Sequence, residues 1–295
     1  MRARTPLWVW YLLIATCLLA GAALAAIYAR VPGDGASGDL ESFAADGFLV
    51  RWVLDARPGG LRTGDVIVRA GGHTPEEWLA GAARGSAWRD GGTVTYEVTR
   101  DGQMVVLDVP LSTIRPGALF AHWGVQFAVA LAFLATGLYV MYRQAGDVAA
   151  RVLTLFCVLV AVQYVGDAYN IQFSTLAWGW PFWVHLTFEH TIFGLILASM
   201  TCFALIFPTV HPVMERHPIA VVAGLFGAFA LAVTVTMALA PGWVTAVRWG
   251  SHAAWVVGGV ELAIAFAAGW RSARVAGDPV SRAQIRWIVW CGTLG

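Results

Sequence analysis

The sequence contains no lysine; all 19 of its basic residues are arginine. Charge of either sign is scarce, at 13% of 295 residues against roughly 25% in a soluble domain. With 58% hydrophobic residues and a mean hydropathy of +0.66, this excludes a soluble globular enzyme and a disordered chain. A formal net charge of +1 supplies no basic field, so no nucleic-acid partner is expected. Cysteine is scarce as well. Cys17, Cys157, Cys202 and Cys291 fall in four different apolar runs, with no Cys-x-x-Cys and no zinc-ligand spacing. They read as small apolar core thiols. His-Glu-x-x-His, Gly-x-Ser-x-Gly and a phosphate-binding loop are all missing, so no catalytic residue, metal or cofactor is expected in this chain.

What the chain does have is long apolar runs. The first, Leu7–Ala29, is twenty-three residues behind Arg2 and Arg4. A signal-peptide core is shorter, roughly 7–15 residues, so an uncleaved signal anchor is expected over residues 1–29. Further spans are predicted near Leu119–Tyr142, Val148–Tyr169, Phe182–Phe207, Ile219–Ala240 and Val244–Trp270, and from Gln284 onward. The last run, Gln284–Gly295, has twelve residues, short of the roughly 20 needed to cross, so its continuation is expected beyond residue 295. Arginines mark the connections Arg143–Arg151, Glu215-Arg216 and Arg271–Arg286, while Asn170–Pro181 and Pro241–Trp243 have none. The positive-inside rule then puts the N-terminus and the arginine-bearing loops in the cytoplasm.

Residues 30–117 have another composition, holding twelve of the 18 acidic residues and nine of the 19 arginines. Short alternating runs at Phe48–Leu54, Asp65–Arg69, Thr93–Thr99 and Met104–Val109 predict strands. Asp101-Gly102 is a hairpin signal, and Thr74-Pro75-Glu76-Glu77-Trp78 has the cap, proline and acidic first turn of a short helix. The expected fold is therefore mainly α: a polytopic helical membrane protein with a small β-rich domain at 30–117 and a multi-span region at 118–295. That domain is expected outside the cytoplasm, and the lipid bilayer is the partner of the spans.

Ionisable residues inside spans are functional candidates by default. Asp167, His185, Glu189, His190, His252 and Glu261 make up this group. His185 and Glu189 share a helix face at a spacing of four, whereas His190 is turned about 100° away. Asp167 and His252 are candidate partners for Glu189. The group reads either as a satisfied polar cluster between helices or as a protonation or ligand-sensing network.

Two segments resemble known families. Gly59-Gly60-Leu61-Arg62-Thr63-Gly64-Asp65-Val66-Ile67-Val68-Arg69-Ala70-Gly71-Gly72 resembles the core of a bacterial PDZ domain, over about residues 43–110. The resemblance implies capture of an extended C-terminal peptide by strand addition. Asp46-Gly47-Phe48-Leu49 sits where the carboxylate loop is expected, so Gly47, Phe48, Leu49 and Val50 are the implied peptide-binding residues. Gly277-Asp278-Pro279-Val280-Ser281-Arg282-Ala283-Gln284-Ile285-Arg286-Trp287-Ile288-Val289-Trp290-Cys291-Gly292 resembles a cytoplasmic elbow of one group of bacterial two-component sensor histidine kinases, the match lying at Asp278, Pro279, Arg282, Gln284, Arg286 and Trp287. There a signal anchor, an extracytoplasmic PDZ-like domain and several spans precede the kinase. The order anchor, PDZ-like domain, spans matches. The resemblance implies the membrane-sensing portion of such a kinase in a bacterial inner membrane, with homodimerisation through the parent kinase. A PDZ-containing transporter or scaffold, or an intramembrane protease, is the alternative.

Overall fold

The computed structural model describes residues 6–275, apart from residues 45, 58, 83, 86 and 208. Arg2, Arg4, the 277–287 motif and the run from Gln284 lie outside the described residues.

Six helices among the described residues are long and apolar enough to cross a membrane. They are α1 (Leu7–Tyr28), α3 (Pro116–Gln144), α4 (Val148–Asp167), α6 (Trp180–Ile206), α8 (Pro218–Ala238) and α9 (Trp243–Val275). Each follows one of the predicted runs with ends shifted by a few residues. Three short α-helices, α2 (Pro75–Leu79), α5 (Phe173–Trp178) and α7 (Pro212–Arg216), accompany them among the described residues. The predicted loop at Asn170–Pro181 therefore contains α5, and Gly179 at φ +70° breaks it from α6.

Helices in lipid gain no hydrophobic free energy from meeting each other, so close packing at small residues must hold them. Glycine supplies that closeness here. A Cβ at Gly137 of α3 would lie 2.8 Å from Cys157 of α4, one at Gly194 of α6 would lie 2.6 Å from Phe229 of α8, and one at Gly250 of α9 would lie 2.7 Å from Met237 of α8. Gly21 sets α1 against Val162 of α4, and Gly258 sets α9 against Leu197 of α6.

The β-rich part is built from β1 (Ala36–Ser37), β2 (Phe43–Ala44), β3 (Gly47–Leu49), β4 (Trp52–Val53), β5 (Val66–Ala70), β6 (Thr93–Arg100) and β7 (Gln103–Pro110). Five strands form an antiparallel sheet in the order β2-β3-β5-β6-β7, and β1 pairs with β4. Asp101 and Gly102 take φ of 52° and 78° in the turn where Arg100 pairs with Gln103, as a two-residue hairpin requires. Thr74 and Glu77 close a reciprocal capping box on α2.

The sheet does not enclose a separate core. Phe43, Phe48, Ile67 and Tyr96 are fully buried, and the same cluster continues through Phe173, Leu176, Phe182, Leu186 and Val247 of the membrane-region helices. Phe43 meets Phe182 edge-on at 5.8 Å, and Phe48 meets Phe173 at 5.7 Å. The first two turns of α6 thus belong to the sheet domain's core. Only beyond Leu186 does α6 become a membrane helix among other membrane helices.

Candidate functional site at the junction of sheet and membrane helices

Three polar ties hold the sheet domain to the helices. Asp34, buried at 3% exposure, accepts hydrogen bonds from the Ala36 amide at 3.0 Å, the Tyr96 hydroxyl at 2.9 Å and the Ser174 amide at 3.2 Å. Burial raises its carboxyl above the usual carboxylate range; these donors and the Arg57 charge offset that only in part. Burial and the neighbouring Asp34 push the Tyr96 phenol well above its ordinary value, so it stays a donor. The second tie is a backbone bridge, Gly38 amide to Ile171 carbonyl at 2.8 Å and the reverse at 2.9 Å. In the third, the Glu76 carboxylate accepts from the Trp243 amide at 2.6 Å and the Val244 amide at 2.7 Å. Those two amides begin α9 and have no partner within the helix. Beside this, the Arg84 guanidinium stacks on the Trp178 ring at 3.7 Å.

Below these ties lies a polar cluster. Gln163 donates to Asp167 at 2.7 Å, and His185 Nε2 lies 3.5 Å from a Glu189 carboxylate oxygen. Glu189 and His185 are the ionisable neighbours of Asp167, and Glu189 is that of Tyr28. The Tyr28 ring packs on His185 at 5.1 Å and on Tyr169 at 5.6 Å. His185 Nδ1 and Gln163 Oε1 are buried without a hydrogen-bond partner among the described residues.

The structure therefore brings together three of the six ionisable candidates, Asp167, His185 and Glu189, and adds Tyr28 and Gln163. The other three stand apart. His190 turns its Nδ1 to the Leu186 carbonyl of its own helix at 2.8 Å. His252 is exposed on α9 and pairs with no carboxylate among the described residues. Glu261 is buried at 3% exposure; its backbone carbonyl accepts from Thr201 at 3.2 Å, but neither carboxylate oxygen has a partner among the described residues. No group of three or more His, Cys, Asp or Glu side chains is placed to hold a metal ion among the described residues.

The four peptide-binding candidates sit inside the sheet. Gly47 is buried at φ +151°, and a Cβ there would lie 2.4 Å from the Ile67 carbonyl, so this glycine permits close strand approach. Phe48 and Val50 are fully buried, and Leu49 is half-buried. β3 pairs with β5 on one side and with β2 on the other, Phe43 opposite Phe48 and Ala44 opposite Gly47. Ala36 and Ser37 continue this pairing opposite Val53 and Trp52. The protein's own residues 36–44 thus run along 47–53.

Tyr28 and Glu76 had no local signal for these roles. Tyr28 reads as an interfacial span end, and Glu76 as a first-turn acid of its own short helix. No family model matches the chain, and no curated protein or solved structure matches it either.

Proposed function

We propose that this chain is the membrane signal-sensing portion of a two-component sensor histidine kinase, with a PDZ-like domain outside the cytoplasm of a bacterial inner membrane. The observation that carries the reading is the Glu76 clasp on the first turn of α9. The domain that meets the exterior grips the helix that runs toward the 277–287 elbow. A change in the domain's posture then displaces a helix that spans the membrane, the coupling a sensor needs. The shared core of Phe43, Phe182 and Val247 makes that grip stiff rather than tethered.

In this reading a C-terminal peptide enters at Gly47, Phe48, Leu49 and Val50 by displacing residues 36–44. That displacement removes the Gly38–Ile171 bridge, so peptide capture and loosening of the junction are one event. The parent works as a homodimer through its kinase. The test is autophosphorylation of the full-length protein in membranes, with Glu76→Ala against the wild type. A shifted basal output at equal protein level supports the reading. Absence of any phosphoryl transfer, with further spans encoded after residue 295, would replace it with the transporter.

A further inference from the structure

We propose that β7 is a self-pairing edge, by which two copies of this chain in one bilayer join strand to strand, antiparallel and centred on Val106. The contact is separate from pairing through the kinase and stands whichever function the chain serves.

β7 ends the five-stranded sheet and pairs with β6, in an unbroken register from Arg100 opposite Gln103 to Thr93 opposite Pro110. In a two-residue hairpin the pair next to the turn is hydrogen-bonded, and such pairs alternate along the ladder. Gln103, Val105, Leu107 and Val109 therefore turn their backbone groups to β6. Met104, Val106 and Asp108 turn theirs outward, where no backbone group meets them among the described residues. The side chains of Met104 and Val106 are 60% and 64% exposed. Open edges are usually blunted by a bulge, a lysine or a central proline, and β7 has none of these. The opposite edge, β2, is covered, since Phe43 packs on Phe182 at 5.8 Å.

Three features select a second copy as the occupant. The first is length. Pairing about Val106 sets Met104 opposite Asp108 of the second copy and uses the outward N–H and C=O of all three residues, with none left over. It stops where the strand allows: Pro110 has no N–H, and its carbonyl already accepts from Arg57. The second is chemistry. Val106 meets its own counterpart, and half-buried Val105 meets half-buried Leu107. The strand's one charge, Asp108, faces Met104 rather than another carboxylate, and it accepts from the Thr95 hydroxyl at 2.7 Å. The third is direction. Side chains alternate, so Met104 and Val106 lie on the face opposite Tyr96, and Tyr96 packs on Phe173 at 6.0 Å. The inner face is thus the one turned to the helices. The dyad of an antiparallel strand pair is normal to the sheet, so here it runs toward the spans. A two-fold axis must take that direction when both copies are inserted the same way. One pair of edge strands is a small contact beside the roughly 1,200 Å² of a stable soluble dimer, so confinement to one membrane is what populates it.

The experiment is oxidative cysteine cross-linking of the whole 295-residue chain in the membranes that express it, read as dimer on gels. Val106→Cys sits on the dyad, where the Cα atoms of a hydrogen-bonded pair are about 5.5 Å apart, within disulfide reach. It should give dimer, and so should Met104→Cys combined with Asp108→Cys. Met104→Cys alone should not, because its counterpart lies about 14 Å away along the strand. The wild type, whose four cysteines fall in apolar runs, is the blank. Val106→Pro removes an outward N–H and no bond to β6, so it should abolish cross-linking of the Met104→Cys/Asp108→Cys protein. Protease resistance of the domain checks that each variant stays folded. No dimer with Val106→Cys, equal dimer with Met104→Cys alone, or dimer that survives Val106→Pro overturns the proposal. Labelling of Val106→Cys by a lipid-soluble maleimide in place of cross-linking overturns it in favour of a bilayer contact.

Discussion

The Glu76 carboxylate lies 2.6 Å from the Trp243 amide and 2.7 Å from the Val244 amide, so a residue of the sheet domain caps a membrane helix 167 positions further along the chain. Gly242 stands beside it, and a Cβ there would come 2.9 Å from the same carboxylate. The contact does two things at once. It supplies acceptors to the orphan amides at the start of α9, and it sets a negative charge at the positive end of that helix.

Glu76→Ala should therefore free the first turn of α9. Loss of a capping acceptor costs about 1 kcal/mol, roughly a fivefold change in a local opening equilibrium. Hydrogen exchange of the Trp243–Ala246 amides in nanodiscs should speed by that order, and Glu76→Gln should recover part of the protection. Unchanged exchange in Glu76→Ala would mean that the shared core alone holds the domain to α9.

A second tie gives a pH dependence with a definite sign. Burial raises the folded-state Asp34 carboxyl above its unfolded value. Its contribution to stability is then fully present below the unfolded value, near pH 4, and is lost as pH rises through the folded one. The thermal midpoint of the wild type should fall over that rise. Asp34→Asn should flatten this component. It should also cost about 1–3 kcal/mol, because the asparagine NH₂ cannot accept from the Ser174 amide. A midpoint in Asp34→Asn that follows pH as the wild type does would assign the dependence to another group.

How much of this was legible in the sequence depended on distance along the chain. The six spans were, because a run such as Ile219–Ala240 can be little else than a membrane helix. The Asp101-Gly102 turn and the Thr74/Glu77 box were too, since each is complete within four residues. The junction was not. Asp34 meets Ser174 across 140 positions and Glu76 meets Val244 across 168, and neither leaves a local pattern. The polar group was half legible: the spacing of four put His185 and Glu189 on one face, but it could not say that Tyr28 would pack on His185 or that His252 would stand apart. The pairing of 36–44 along 47–53 was hidden for the same reason, because strands of two and three residues have too little periodicity to read.

Packing at glycine yields a prediction independent of signalling. A Cβ at Gly137 would lie 2.8 Å from the Cys157 Cβ, on a helix face with no room to yield. Gly137→Leu should force α3 from α4 and cost about 1–3 kcal/mol. Gly124, in the same helix, has nothing within 4 Å of an added Cβ, and Gly124→Leu should be tolerated. Thermal unfolding in detergent compares the two, and equal midpoints would mean that α3 and α4 are not in close contact.

The final prediction concerns which side of the membrane the sheet domain occupies. Tyr28, Pro116, Asp167, Trp180 and Trp243 end or begin their helices on the domain's side, as the ties of Asp34, Gly38 and Glu76 require. The connections there at 168–172 and 239–242 carry no arginine. At the opposite ends stand Arg143, Arg151, Arg216, Arg271 and Arg274, and Arg271 meets His211 there. Arginine-rich short connections stay in the cytoplasm during insertion. A reporter active only in the cytoplasm should therefore be silent when fused near Gly92 and active when fused at Gly146, between α3 and α4. The same pair of fusions with a reporter that works only outside should give the reverse pattern. Cytoplasmic activity near Gly92 would turn the protein over, put the Glu76 clasp and the polar cluster on the inner side, and end the assignment of the domain as a receiver of external signals.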